Sequence, residues 1–500
     1  MSPSIRTVSV RSPAGPLRED AVVIPMYSGT RALPPEASLR ERGLAEAAAV
    51  LFKAGFPAQR GETRVASVVR GRRLVHVVLL GLGKRAAASA EDIADAAGAA
   101  ASALIRVNAG SAAVLVDPAL DTRLPAADVA HAILKGMLLS GYTFSVGRRR
   151  NPPLRRLSLV TTHPARRFAA AVRRARLMAG MILTVRDWVN TPANTMTPGA
   201  FAESGRALCV KHGVSCRVWG RREIEKASMG GVLGVAVGSR EEPRFMVMHY
   251  NMDKPKLPLV CLIGKGVTFD SGGISIKPWE KMNEMKSDMA GGAATVAAIC
   301  ACASLGLPVR VVAMVPCVEN MPGGGAFRPG DVLTLCSGKT VEVYTTDAEG
   351  RLILADAVAY ARTHYKPDVI VDIATLTGGA VIALGTRVAP IMGNDHARVE
   401  EVRSAGDAAG EPVWPLPLDE RFFDMVRGEI ADYKNYTGRH ASPITGGALV
   451  GVFAESTPWV HIDIAGSSWC DGAGASYQTR GATGFGVDLL VRFLENVAGG

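Results

Sequence analysis

The sequence predicts an α/β protein: a smaller N-terminal α/β domain, then a larger C-terminal domain with a mostly parallel central sheet covered by helices. Two patterns predict it. In the first 180 residues an alanine-rich helical stretch stands between two short apolar runs, the strand–helix–strand order of a small α/β unit. Past residue 250, near-continuous apolar or β-branched runs alternate with helix-like segments, and runs with so little polar alternation belong to strands covered on both faces. A chain of 500 residues that is 48% hydrophobic and 21% charged can bury large cores. That balance excludes a disordered chain.

In chain order, Thr7–Val10 and Ala21–Pro25 read as strands, followed by Leu74–Gly81 and Ala112–Val116. Between the latter two, Ser89–Val107 reads as a helix with Ser89 or Glu91 near its start. A connecting helix is expected from about Ala165 to Val189, ending before the breaker Asn190-Thr191-Pro192. The expected domains are therefore 1–164, the linking helix 165–189, and 190–500. In the last of these, Leu257–Gly264, Val309–Cys317, Thr340–Thr345 and Asp368–Ala374 read as central strands, with Asp288–Leu305 and Ile353–His364 as helices between them.

Charge is uneven. Residues 1–180 hold 27 lysines and arginines against 12 acidic residues, a surplus larger than the whole chain's net +11. Much of the excess comes from Arg148-Arg149-Arg150, Arg155-Arg156, Arg166-Arg167 and Arg173-Arg174-Ala175-Arg176. A basic surface of this size can contact DNA through phosphates. Without interleaved aromatics or a helix-turn-helix pattern, the favoured reading is a solvated arginine-rich linker and helix face. The eight cysteines form no CxxC pair and sit in apolar runs, as buried free thiols of a reducing, cytoplasmic compartment do. No uninterrupted apolar run of about 18 residues marks a membrane span. Met1–Asp20 lacks the apolar core of a secretory signal. Its Arg6, Arg11 and Arg18 hint at a transit peptide, but strands already begin at Thr7 and Ala21.

Chemistry concentrates in two segments. Tyr344-Thr345-Thr346-Asp347-Ala348-Glu349-Gly350-Arg351-Leu352 follows a strand-like run and precedes a helix. Asp347 and Glu349 stand two residues apart, and outside a helix such a pair can converge on one point. Two hard carboxylates on one point suit a divalent cation, and Arg351 could hold an anion beside it. The second segment runs from Gly264 to Pro278 and on to Met285-Lys286-Ser287-Asp288. It sets Lys265, Asp270, Lys277 and Asp288 among glycines and small residues. Buried charge there costs several kcal/mol unless paired or bound to metal. Each group alone has a plain alternative: a surface turn, a snorkelling lysine, a helix-start ion pair. Together they describe a metal-dependent hydrolase.

These segments resemble the leucyl aminopeptidases, the cytosol aminopeptidase family of dimetal peptidases. Thr346 to Leu352 match seven of the eight positions of that family's signature, Asn-Thr-Asp-Ala-Glu-Gly-Arg-Leu. Further matches are Lys265–Pro278, Glu319-Asn320-Met321-Pro322, Arg328-Pro329-Gly330-Asp331, Ala374-Thr375-Leu376-Thr377-Gly378, His461-Ile462-Asp463-Ile464-Ala465-Gly466, Gly481-Ala482-Thr483-Gly484 and Arg186–Pro198. The first 180 residues match only loosely, chiefly at Val77–Lys84.

The resemblance implies an aminopeptidase that releases leucine or other apolar residues from peptide N-termini. It implies two divalent ions, Mn²⁺ or Zn²⁺, bridged by Asp270 and Glu349. Lys265 and Asp288 would complete one ion, and Asp347 the other. An ammonium has no lone pair, so Lys265 could serve only after a metal displaces its proton. Lys277 would polarise the scissile carbonyl, and Arg351 would hold a bicarbonate that shuttles the proton. Met285, Thr375, Gly378 and Ala465 match the side-chain pocket, while His461 and Asp463 read as packed support. A homohexamer of two trimers is also implied. One departure stands out: Thr345 replaces the signature's Asn, exchanging an amide for a hydroxyl and a methyl.

Overall fold

The computed structural model describes residues 5–12, 17–33, 42–116, 124–147, 154–162, 164, 166–472 and 474–499. Arg148, Arg149 and Arg150 lie outside these, as does the side chain of Arg167. The chain forms two compact units, Met1–Leu183 with Asp471–Arg480, and Thr184–Cys470 with Gly481–Gly500. The excursion at 471–480 is not visible in the sequence, which shows no break near it.

In the first unit, described strands β1 (Thr7–Arg11), β2 (Ala21–Met26), β3 (Thr63–Arg70), β4 (Arg73–Gly81), β5 (Ser111–Leu115) and β6 (Arg156–Val160) form one sheet in the order β1-β6-β5-β2-β4-β3. All pairs are parallel except β3 with β4. Helices α1 (Arg42–Lys53), α2 (Ala90–Arg106) and α3 (Ala126–Ser140) complete it. Ser89 caps α2 in a reciprocal box with Asp92, satisfying two otherwise free backbone donors. Helix α4 (Arg166–Asn190) carries the chain into the second unit.

That unit is built on a sheet of nine described strands: β7 (Ser215–Trp219), β8 (Arg244–Tyr250), β9 (Leu259–Gly264), β10 (Gly266–Asp270), β11 (Arg310–Asn320), β14 (Val369–Ala374), β15 (Ala389–Gly393), β16 (Val413–Pro415) and β18 (Trp459–Asp463). Its order is β16-β15-β18-β14-β9-β11-β8-β7, with β10 alongside β11. The central strands β18, β14, β9 and β11 run parallel, and β8 and β15 flank them antiparallel. Buried along their length, β9 and β14 show why their sequences lack alternation.

The covering helices are α5 (Pro198–Lys211), α6 (Arg221–Lys226), α7 (Gly230–Ala236), α8 (Ala290–Leu305), α9 (Gly350–Tyr365), α10 (Gly378–Leu384), α11 (His396–Ala409), α12 (Glu420–Met425), α13 (Ser442–Gly451) and α14 (Val487–Gly499). Helix α8 is apolar all round, as befits a core helix. Among the described residues the stretch Met282–Leu305 is long and apolar enough to cross a membrane, and its most apolar window is 83% buried inside the protein.

The expected strand Thr340–Thr345 needs correction. Only Thr340–Glu342 is a strand, β13, and it pairs with β12 (Val332–Thr334) and β17 (Tyr433–Lys434) in a separate three-stranded sheet. Beyond it Val343 bonds to Gly330 and Asp331, and Tyr344 and Thr345 bond to the amide side chain of Asn435. A fourth, two-stranded sheet joins β19 (Trp469–Cys470) and β20 (Gly481–Ala482).

Candidate metal centre and active site

The site forms where the parallel strands end. In register, Ile373 of β14 lies beside Gly264 of β9, and Ala374 beside Asp463 of β18. Lys265, Thr375 and Asp463 therefore meet at one level of the sheet edge, where open α/β sheets place their ligands. Asp347 and Glu349 do not follow a central strand. They arrive on the loop between β13 and α9, so of Lys265, Asp347 and Glu349 only the lysine directly follows a strand of the central sheet.

Strand β10 delivers Asp270. Its register against β11 shifts between Val267 and Phe269, an irregularity of the kind that re-aims side chains beside sites. Gly272 (φ +87°) and Gly273 (φ +67°) then reverse the chain in the left-handed region open to glycine. The reversal lets Gly272 N–H donate to Asp270 Oδ1 (2.9 Å) and brings Lys277 back over the cluster. A 3₁₀ turn, Met282–Ser287, carries Met285 and ends at Asp288.

Single oxygens of Asp270, Asp347 and Glu349 all lie within 4.8 Å of one another. Lys265 Nζ stands 2.8 Å from both Asp288 Oδ1 and Glu349 Oε1, and donates to the Thr375 carbonyl at 2.8 Å. Lys277 Nζ is 2.8 Å from Asp270 Oδ2 and also contacts Asp347. Thr375 Oγ1 donates to Asp288 Oδ1 (2.7 Å), while Asp288 Oδ2 is buried without a protein partner.

Four carboxylates thus face two ammoniums, most of them buried. Burial raises the Asp270 and Asp288 carboxyls, and repulsion from Glu349 adds to it. Asp347 is raised to about 6 by burial, against the pull of Lys277. Burial opposes ionisation of Glu349 too, but Lys265 and Lys277 hold it below the ordinary range. Both ammoniums resist burial and are held above their ordinary values by the acids around them. The excess of negative charge, with an unpartnered Asp288 oxygen, is a donor set that fits hard divalent cations.

Arg351, in the first turn of α9, is buried; its Nη1 donates to the Asn435 carbonyl at 2.8 Å and its Nε has no protein partner. Asp463 gathers the neighbouring loops: its Oδ1 accepts from the N–H groups of Leu376 (3.0 Å) and Ala465 (3.1 Å), and its Oδ2 from Thr377 Oγ1 (2.7 Å). Thr377 caps α10, whose first residue is Gly378. His461 Nδ1 bonds to Asp372 Oδ1 (2.6 Å), and Trp459 Nε1 donates to Asp372 Oδ2 (2.6 Å), all in the core.

Comparison with known proteins decides the family. Residues 183–491 match the model of the cytosol aminopeptidase family, catalytic domain, and residues 23–151 match that family's N-terminal domain. The chain is 43% identical over 426 residues to a probable cytosol aminopeptidase of Roseiflexus castenholzii, covering 84% of this chain and 87% of that one. This chain belongs to the cytosol aminopeptidase family. A homologue from Geobacter sulfurreducens is 41% identical over 427 residues, 84% of each chain. Among solved structures it resembles the bottromycin maturation enzyme BotP in complex with Mn, at TM-score 0.85 and 35% identity, over 96% of this chain and 100% of that one.

As a member of the cytosol aminopeptidase family the chain is a metal-dependent exopeptidase that releases N-terminal residues, and its acidic cluster is the place for a divalent metal. Sequence reasoning missed two residues of this site. Asn320, at the end of β11, donates through Nδ2 to Asp270 Oδ1 (2.8 Å) and to the Thr346 carbonyl (2.9 Å), tying the two acid-bearing segments together. It lies in Glu319-Asn320-Met321-Pro322, a stretch picked out for its resemblance but given no task. Asn435 stands some 90 residues from the loop it holds, and no local signal marked it. Thr345 Oγ1 accepts from Asp347 N–H at 3.2 Å, so the hydroxyl orders the loop where the signature has an amide. The eight cysteines are all free thiols, six of them buried.

Proposed function

We propose that this protein is a two-metal aminopeptidase of the cytoplasm, favouring leucine or methionine-like residues at the peptide N-terminus. The convergence of Asp270, Asp347 and Glu349 within 4.8 Å beside two lysines carries the reading. Asp270 and Glu349 would be shared between two divalent ions; Lys265 and Asp288 would complete one, and Asp347 the other. The Mn in the BotP structure favours manganese. When bound, the ions would supply the Lewis acidity that activates water and holds a substrate's free amine.

The chain's own groups do the rest. To serve as a ligand Lys265 would have to become a free amine, giving up its proton to solvent as the metal enters. Lys277, the more exposed of the two lysines, donates to the scissile carbonyl oxygen and steadies the negative charge that develops there. Arg351 presents a buried guanidinium with one N–H unspent, suited to a bicarbonate that moves the proton to the leaving amine. Met285, Thr375, Gly378 and Ala465 line an apolar, small-walled subsite, whose floor is drawn together by Asp463. A homohexamer is the assembly we propose, following the family resemblance.

The test is a titration of the chelated protein with Mn²⁺, followed by cleavage of a panel of aminoacyl p-nitroanilides. Two equivalents bound per chain and a kcat/KM highest for leucine and methionine are expected. One equivalent, or a preference for charged residues, contradicts it.

A further inference from the structure

We infer that Asn435 is the positioning residue that locks the loop bearing Asp347 and Glu349 to the Arg351 guanidinium. The inference rests on the reading of those two acids as metal ligands and of Arg351 as the anion-binding group.

Residues 343–348 form neither helix nor strand, so their backbone N–H and C=O groups need partners from elsewhere. Gly330 and Asp331 serve Val343, Ser275 and Asn320 serve Thr346, and Asn435 serves Tyr344, Thr345 and Ala348. Asn435 follows β17, which runs parallel to β13, and its own N–H donates to the Glu342 carbonyl at 2.9 Å. That bond fixes its backbone beside the point where β13 ends. Its side chain is fully buried. Oδ1 accepts from the N–H groups of Tyr344 (2.8 Å) and, at longer range, Thr345 (3.4 Å). Nδ2 donates to the carbonyls of Thr345 (2.7 Å) and, again longer, Ala348 (3.4 Å).

A carboxamide offers two acceptor lone pairs and two donor hydrogens, and here all four are directed at one five-residue segment. No other side chain of this length matches that pattern. Aspartate would face two carbonyls with no hydrogen to give, serine would offer a single donor, and glutamine would be one methylene too long for a site without free volume. The residue's main chain completes the device: its carbonyl accepts from Arg351 Nη1 at 2.8 Å. One residue therefore sets both the path of the ligand loop and the reach of the guanidinium. A shift of Asn435 moves Asp347, Glu349 and Arg351 together.

Partners that orient ligands from behind typically govern metal affinity by about 10–100-fold. The full-length protein carrying Asn435→Ala is compared with the unsubstituted chain for Mn²⁺ affinity and the bound-Mn electron paramagnetic resonance spectrum. Thermal unfolding of the chelated form, and KM and kcat for leucine p-nitroanilide at saturating Mn²⁺, complete the comparison. Mn²⁺ binding about 10–100-fold weaker, an altered Mn spectrum, and a loss in kcat exceeding any change in KM are expected, with the chelated protein still folded.

A folded variant whose Mn²⁺ affinity, spectrum and kcat all stay within twofold of the unsubstituted chain overturns the inference. Should the alanine variant not fold, the isosteric Asn435→Asp, which keeps the two accepted bonds and loses the two donated ones, decides by the same criteria. If the unsubstituted protein itself binds no Mn²⁺ and cleaves nothing, the reading of the site has failed. If it is active and both variants match it, the inference alone has failed.

Discussion

Lys265 Nζ lies 2.8 Å from Glu349 Oε1, and it reaches that place because the next residue along the helix is Gly350. A Cβ on Gly350 would sit 2.6 Å from Lys265 Cε and 2.8 Å from Nζ. The lysine is pinned by Asp288, Glu349 and the Thr375 carbonyl, so it has little freedom to retreat. The glycine of the signature is thus a space reserved for the buried lysine.

Gly350→Ala loads that space. The added methyl presses on a buried, pinned lysine, and such overpacking costs about 1–3 kcal/mol, so the chelated protein should unfold somewhat earlier than the unsubstituted chain. Displacing Lys265 should weaken Mn²⁺ binding at least about tenfold. Calorimetric titration beside thermal unfolding checks both signs.

Lys277→Ala should behave in the opposite way toward metal. The lysine's positive charge sits against Asp270 and Asp347, so its removal leaves the acids freer to bind a cation. Mn²⁺ affinity should hold or rise, while kcat falls by about 10²–10³, the usual cost of losing one electrostatic contact to a developing oxyanion. Equal losses in affinity and rate would remove Lys277 from the role proposed for it.

Thr345 can be tested in both directions. Its hydroxyl accepts from Asp347 N–H, and asparagine can close the same local turn. Thr345→Asn should leave kcat/KM within about threefold, whereas the near-isosteric Thr345→Val, lacking the acceptor, should weaken Mn²⁺ binding by a factor corresponding to about 1 kcal/mol. The two titrations, run side by side, rank the variants.

Asp356 supplies a pH signature away from the site. On α9 it accepts from Cys336 N–H (2.8 Å) and Val232 N–H (3.0 Å) with no cation beside it, and burial raises its pKa from 3.8 to about 7. The unfolded chain releases this proton near pH 3.8 and the native chain holds it to about 7, so between those values stability falls as pH rises. The contribution is full below the lower value and gone above the upper, on the order of 4 kcal/mol in all. Asp356→Asn should abolish that slope. Urea unfolding of both chains from pH 4 to 7 should show their stability difference changing by several kcal/mol, and a constant difference would contradict the assignment.

Much of this was legible in the sequence because it is local. Helix α2 declares itself by Ser89 and the alanine-rich run that follows, and β9 and β14 by unbroken apolar runs. Asp270 and Lys277 could be picked out by the glycines and small residues around them, and Asp347 and Glu349 by their two-residue spacing outside a helix. What stayed hidden is long-range. Thr340–Thr345 reads as a strand from its β-branched residues, yet from Tyr344 on its bonding is taken over by Asn435, which no local pattern predicts. Asn320 was in plain sight, but its value lies in joining Asp270 to Thr346, a relationship visible only once β10 and β11 are paired.

The most direct test of the central claim is cleavage of leucine p-nitroanilide beside its N-acetylated analogue, by the chelated protein and after return of Mn²⁺, Co²⁺ or Zn²⁺. Activity that is absent after chelation, returns with metal, and is confined to the free-amine substrate is the predicted result. Cleavage of both substrates, or none of either by a folded and metal-loaded protein, would contradict an aminopeptidase built on Asp270, Asp347 and Glu349.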